Sequence, residues 1–184
     1  MAGTYSDQEI MALVQERKPL PTDWRNRIRL CPKRGHDERD LEVAGDDGRE
    51  FRLILRQNRI NRLDFSIILA VRVPSSNQIF RLRRHNGKSH EHTNLVENET
   101  FYDFHIHMAT EPYQAIGARE DAYAEPTDRH SDLLSVPHPS VPGTGRIAWS
   151  LHCAGAALVW ERRTHRLIAT DAGQRLRDEE AADA

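Results

Sequence analysis

Nowhere in its 184 residues does the chain hold an apolar run near the length of a bilayer span. The N-terminus also lacks the basic-then-apolar pattern of a secretory signal. A cytoplasmic protein with no membrane partner is therefore expected. Cysteine is nearly absent: Cys31 and Cys153 stand far apart with no Cys-x-x-Cys spacing, which argues against a zinc ribbon or a disulfide framework. Aromatic residues make up 7%, too few to support single-strand recognition by base stacking. Lysine is scarce as well, supplying only three of the 26 basic side chains. Two explanations of that arginine bias stand: GC-rich coding, or a need for the planar fork that grips phosphate and carboxylate.

What the chain does contain is enough for one domain with a real core, at 38% hydrophobic and 29% charged residues. Its formal charge of −2 hides an asymmetry. Residues 25–88 carry sixteen basic and eight acidic groups, a net of +8, whereas residues 89–184 carry the reverse, a net of −8. Either the middle segment meets an anionic partner, or one part of the fold pairs against another.

Ser6-Asp7-Gln8-Glu9 has the form of a capping box and opens a short amphipathic helix over residues 7–17, which Pro19 and Pro21 end. Strands are expected at Arg27–Leu30 and Asp40–Ala44. Gly45-Asp46-Asp47-Gly48 then turns the chain into Arg49–Arg56, a hairpin with Phe51, Leu53 and Leu55 on one face. Phe65–Val73 is the most apolar run and reads as a central strand, with Gln78–His85 returning beside it. Strict alternation sets Phe80 and Leu82 against Arg81, Arg83 and His85. In the strand near Phe101 the same rule sends Tyr102, Phe104, Ile106 and Met108 to the core and Asp103, His105 and His107 to the opposite face. Thr127–Leu134 looks like the start of a helix, and Arg146–Trp160 like a helix or a strand pair.

Chemistry concentrates in Arg81–Met108, which holds five of the ten histidines. Three uses fit it. Paired imidazoles can act as base and acid on a phosphodiester while arginines stabilise the developing charge. His-x-His on a strand can start a metal site, although no ligand set is assigned from the sequence and no cofactor follows from it. Arginines can also grip nucleic-acid phosphates without turnover. The first use assigns catalysis to His92, His105, His107 and Arg83, and binding to Arg81, His85, His90 and Asp103. His36, His130, His138, His152 and His165 have no such company and read as structural.

The run His85–Asn94, with Phe101–His107, resembles a family of small uncharacterised bacterial proteins that share a basic strand, a His-Thr loop and a strand ending His-Ile-His. The same order is distantly similar to TumE-type toxins of bacterial toxin–antitoxin pairs, which are nuclease-like. The resemblance spans Phe65–Asp132. It implies His92, His105 and His107 as site residues, with Arg83 and His90 beside them, RNA or another phosphate-bearing ligand as substrate, and a cognate antitoxin-like partner. Such relatives would continue the helix begun at Ser131, whereas this chain enters a Pro/Gly-rich segment. The division expected is therefore 1–134 and 135–184, the latter a genuine extension or the product of a shifted reading frame near Ser135. The fold expected is α+β: an antiparallel sheet of about five strands, an N-terminal helix and a partly irregular C-terminal region.

Overall fold

The computed structural model describes residues 4–133, 136, 157–161 and 166–170. The chain is α+β, built on one antiparallel sheet with the expected helix at its N-terminus. The elements run α1 (Asp7–Gln15), α2 (Trp24–Arg27), β1 (Cys31–Lys33), β2 (His36–Ala44), β3 (Glu50–Asn58), β4 (Phe65–Arg72) and β5 (Ile79–Asn86). They continue as β6 (His92–Asn94), β7 (Glu99–Phe101), β8 (His105–Met108), α3 (Glu111–Ala115), β9 (Tyr123–Pro126), β10 (Ala157–Glu161) and β11 (Arg166–Thr170). The main sheet has seven strands in the order β1-β2-β3-β4-β5-β8-β9; β6 pairs with β7 and β10 with β11 as separate hairpins. Residues 1–146 and 147–184 form two compact units, and β10–β11 belongs to the second. The division expected after Leu134, the segment 137–156 and the tail lie outside the described residues.

The capping box forms. Glu9 N–H donates to Ser6 Oγ at 3.3 Å, and Ser6 N–H donates to the Glu9 carboxylate at 2.8 Å. One stripe of α1, Ile10, Leu13 and Val14, packs on Phe51, Leu69, Val71, Phe80 and Leu82 of the sheet. Removing each such side chain from water contributes about 1.5–3 kcal/mol. The far end of the helix is closed by Lys18, whose buried Nζ donates to the carbonyls of Leu13 (2.7 Å), Val14 (3.1 Å) and Glu16 (2.6 Å). Burial pushes that ammonium down to about 8. Where Arg27–Leu30 was expected to be a strand, Trp24–Arg27 is instead a single helical turn, anchored by buried Trp24 and Ile28. The residues Thr127–Leu133 form bends and a turn rather than a helix.

The β2–β3 and β4–β5 hairpins stand as the turn signals predict, and Phe65–Arg72 is the fourth of the seven strands. One departure governs the rest. Leu69 pairs with Arg83 but Ala70 pairs with Arg81, so Leu82 is an extra residue in β5, a β-bulge. A bulge reverses the parity of everything after it. Residues opposite one another across an antiparallel pair share a face. Phe80 therefore lies with Val71 on the α1 side, and beyond the bulge Arg83 and His85 lie on that side too, opposite Leu69 and Ile67. Arg81, Arg84 and Asn86 take the other face.

Candidate functional site

The return strand β5 pairs with the histidine strand β8, with Asn86 opposite His105 and Arg84 opposite His107. The bulge decides which partners the histidines meet. Asn86 and Arg84 share their face; Arg83 and His85 pair with Met108 and Ile106 on the opposite one. Arg81, Arg83 and His85, which strict alternation set on one face, are thus divided between two. Burial is inverted as well: Tyr102 is 54% exposed, whereas His105 and His107 are 0% and 2% exposed. The β6–β7 hairpin accounts for the inversion, because it folds His92 and Phe101 over this end of the sheet.

Three imidazoles meet beneath that hairpin. Ring centroids are 4.7 Å apart for His92 and His107, 4.8 Å for His105 and His107, and 5.5 Å for His92 and His105. One ligand nitrogen from each lies within 4.8 Å of the others, the one such metal-competent group among the described residues. The opposite ring nitrogens fix the tautomers. His105 Nδ1 lies 2.7 Å from the Asp103 carbonyl oxygen and His107 Nδ1 lies 3.0 Å from that of Asp121. A carbonyl oxygen only accepts, so both Nδ1 atoms carry hydrogen and both Nε2 atoms present bare lone pairs. His92 Nε2 lies 3.0 Å from Asn94 Oδ1. The Asn94 amide is itself oriented by two bonds to one residue: Ala124 N–H donates to Oδ1 at 2.9 Å, and Nδ2 donates to the Ala124 carbonyl at 2.8 Å. His92 Nε2 is therefore the nitrogen that donates in that bond.

Electrostatics keep these rings neutral. Burial pushes the His105 imidazole down to about 4 and the His107 imidazole far below its ordinary range, the latter helped by the nearby Arg84 charge. His92 is lowered too, chiefly by burial. Arg84 pairs through Nε with Asp121 at 3.1 Å, and Arg119 Nε holds the other carboxylate oxygen at 2.5 Å. Asp121 is fully buried. It anchors Arg84 with its carboxylate while its carbonyl orients His107.

The remaining expected residues are more scattered. His90 is exposed at the rim, its ring 5.5 Å from His105. Asp103 contributes its backbone carbonyl rather than its carboxylate, which pairs outward with Lys88 at 3.1 Å. Arg81 pairs with Glu120 at 3.1 Å. Arg83 lines a cleft of about 840 Å³ on the other face, with Met108, Arg129 and His130 among its walls. His85 sits 5.3 Å from the ring of His130 on that side. Asn86, Asn94 and Asp121 were not anticipated. Asn86 is one residue past the strand predicted from alternation, and nothing local marks the other two. No family model, no curated protein and no solved structure matches the chain.

Proposed function

We propose that His92, His105 and His107 hold a divalent transition-metal ion and that the protein is a metal-dependent enzyme of the hydrolytic kind. The observation that carries this reading is the set of bare nitrogens. Those of His105 and His107 both face the Asn86 amide, one ring nitrogen of each of the three imidazoles lies within 4.8 Å of the others, and oxygens of Asp103, Asp121 and Asn94 hold the rings in place. That far-side bonding fixes ring orientation and raises ligand basicity, as in metal-bound histidines generally. Imidazole suits zinc, iron, copper and nickel. Three histidine ligands leave a position for water or substrate, and an ion there supplies Lewis-acid activation of a bound oxygen.

The rim supports access. His92 is only half-buried and the exposed His90 stands beside His105, so a substrate enters from the β6–β7 side. Metal-free acid–base cleavage asks one imidazole to carry a proton near neutral pH, which the burial of His105 and His107 opposes. RNA remains a substrate class to assay, now as a phosphodiester presented to a metal. The test is hydrolysis of phosphodiester, phosphomonoester and ester substrates by protein loaded with zinc, manganese or nickel. Activity that needs the ion and is lost in His107→Ala supports the reading. Hydrolysis that persists in chelator at undiminished rate contradicts it.

A further inference from the structure

Asn86 stands between the two innermost histidines. It is 4% exposed, and its Nδ2 lies 3.3 Å from His105 Nε2 and 3.2 Å from His107 Nε2. Those separations are informative. Two ligand atoms each about 2.0–2.2 Å from one tetrahedral ion stand roughly 3.3 Å from each other. The end of the Asn86 side chain therefore occupies a ligand's position relative to both nitrogens.

Its other end is in the opposite condition. Asn86 Oδ1 is buried and has no hydrogen-bond partner among the described residues. A buried acceptor left in that state costs about 1–3 kcal/mol. Without an ion, the amino group faces the two Nε2 lone pairs and satisfies them, and the oxygen is left unpaired. With an ion on those lone pairs, the same amino group would point its hydrogens at a cation. A half-turn of the carboxamide removes the conflict with the cation by turning Oδ1 to it, because its oxygen and nitrogen are nearly equal in size.

The backbone at this position is held for such a role. The Asn86 carbonyl lies 3.0 Å from His130 Nε2, a donor from the opposite face. Gly87 follows it, and any Cβ there would overlap the Leu63 carbonyl and the Phe65 ring. The strand is thus pinned beside His105, and only the side-chain torsion is left to change.

We infer that Asn86 is the fourth protein ligand of the centre, its carboxamide turning over to present Oδ1 to the ion held by His92, His105 and His107. This rests on the metal reading above. All four ligands are then neutral, so the ion keeps its full charge; a guest enters as a fifth ligand on the four-coordinate ion, and that charge favours an anionic one.

Cobalt(II) titration of the full chain tests it, with visible absorption reporting coordination and chelator competition reporting affinity. Wild type is expected to bind one ion. Asn86→Leu should bind at least tenfold more weakly, in line with roughly 10–100-fold for a residue that tunes a metal site, and its cobalt band should change shape. Asn86→Asp should bind at least as tightly as wild type, again with a changed band. If Asn86→Leu folds and keeps wild-type affinity and spectrum, the fourth-ligand role is wrong while the three-histidine centre stands. If Asn86→Leu does not fold, Asn86→Asp decides: an unaltered affinity and band overturns the role. A folded wild type that binds no cobalt fails the metal reading itself, a result read before any variant is made.

Discussion

His105 and His107 each commit one ring nitrogen to a backbone carbonyl, and that commitment leaves the other bare and turned inward. The consequence can be checked residue by residue. His105→Ala or His107→Ala should lower zinc affinity by 100-fold or more in competition with a chromogenic chelator. Arg83→Ala and His85→Ala, on the opposite face, should leave it within about twofold. Equal losses from both sets would mean that the bulge does not divide them as the register indicates. Period-two alternation placed His105 and His107 on one strand face, and they share it. It could not tell that this face is covered, because the covering hairpin is an element of its own some ten residues upstream. Nor could it align Arg83 and His85, because an extra residue in β5 leaves no mark in the pattern of arginines and leucine around it.

At the scale of elements, the centre depends on how the β6–β7 hairpin is fastened. Asn94 does this with one side chain: it bonds the Ala124 N–H and carbonyl on edge strand β9 and also receives the His92 N–H. Asn94→Ala leaves two buried backbone groups without partners, a cost on the order of 2–6 kcal/mol at about 1–3 kcal/mol for each. The expected result is faster amide exchange over residues 92–101, together with at least tenfold weaker metal binding. The strands of β5 and β8 should stay protected. If exchange in the hairpin is unchanged, Asn94 is not its fastening. The β2–β3 hairpin was legible because Gly-Asp-Asp-Gly is local turn chemistry, and β4–β5 because only four residues part the apolar run Phe65–Val73 from the return strand Gln78–His85. The single helical turn at Trp24 was not, since its reason is the burial of Trp24 and Ile28, which no local signal marks.

The whole molecule carries these neutral imidazoles as a pH dependence. His85 is pushed down to about 3 and His105 to about 4 by burial, from an ordinary 6.5, and His107 and His130 are lowered as well. The unfolded chain therefore binds more protons than the folded one below about pH 6.5. Stability of the metal-free protein should be full above that value and fall on acidification toward pH 4, each histidine adding a slope of up to about 1.4 kcal/mol per pH unit. Denaturant midpoints between pH 7.5 and 4.5 measure it; a midpoint that rises as pH falls would be the wrong sign. Ligand binding adds a second, independent effect. At a free ion concentration 100 times its dissociation constant, the folded state gains about 2.7 kcal/mol, and the melting temperature should rise accordingly in wild type but not in His107→Ala.

The central claim is that three histidines make one metal site, and counting ions tests it most directly. Wild type and the His105→Ala/His107→Ala double variant, both verified as folded, are dialysed against zinc and then against metal-free buffer, and their metal content is measured. About one tightly held ion per wild-type chain and almost none in the variant is the expected result. A folded wild type that retains no more metal than the variant would contradict it.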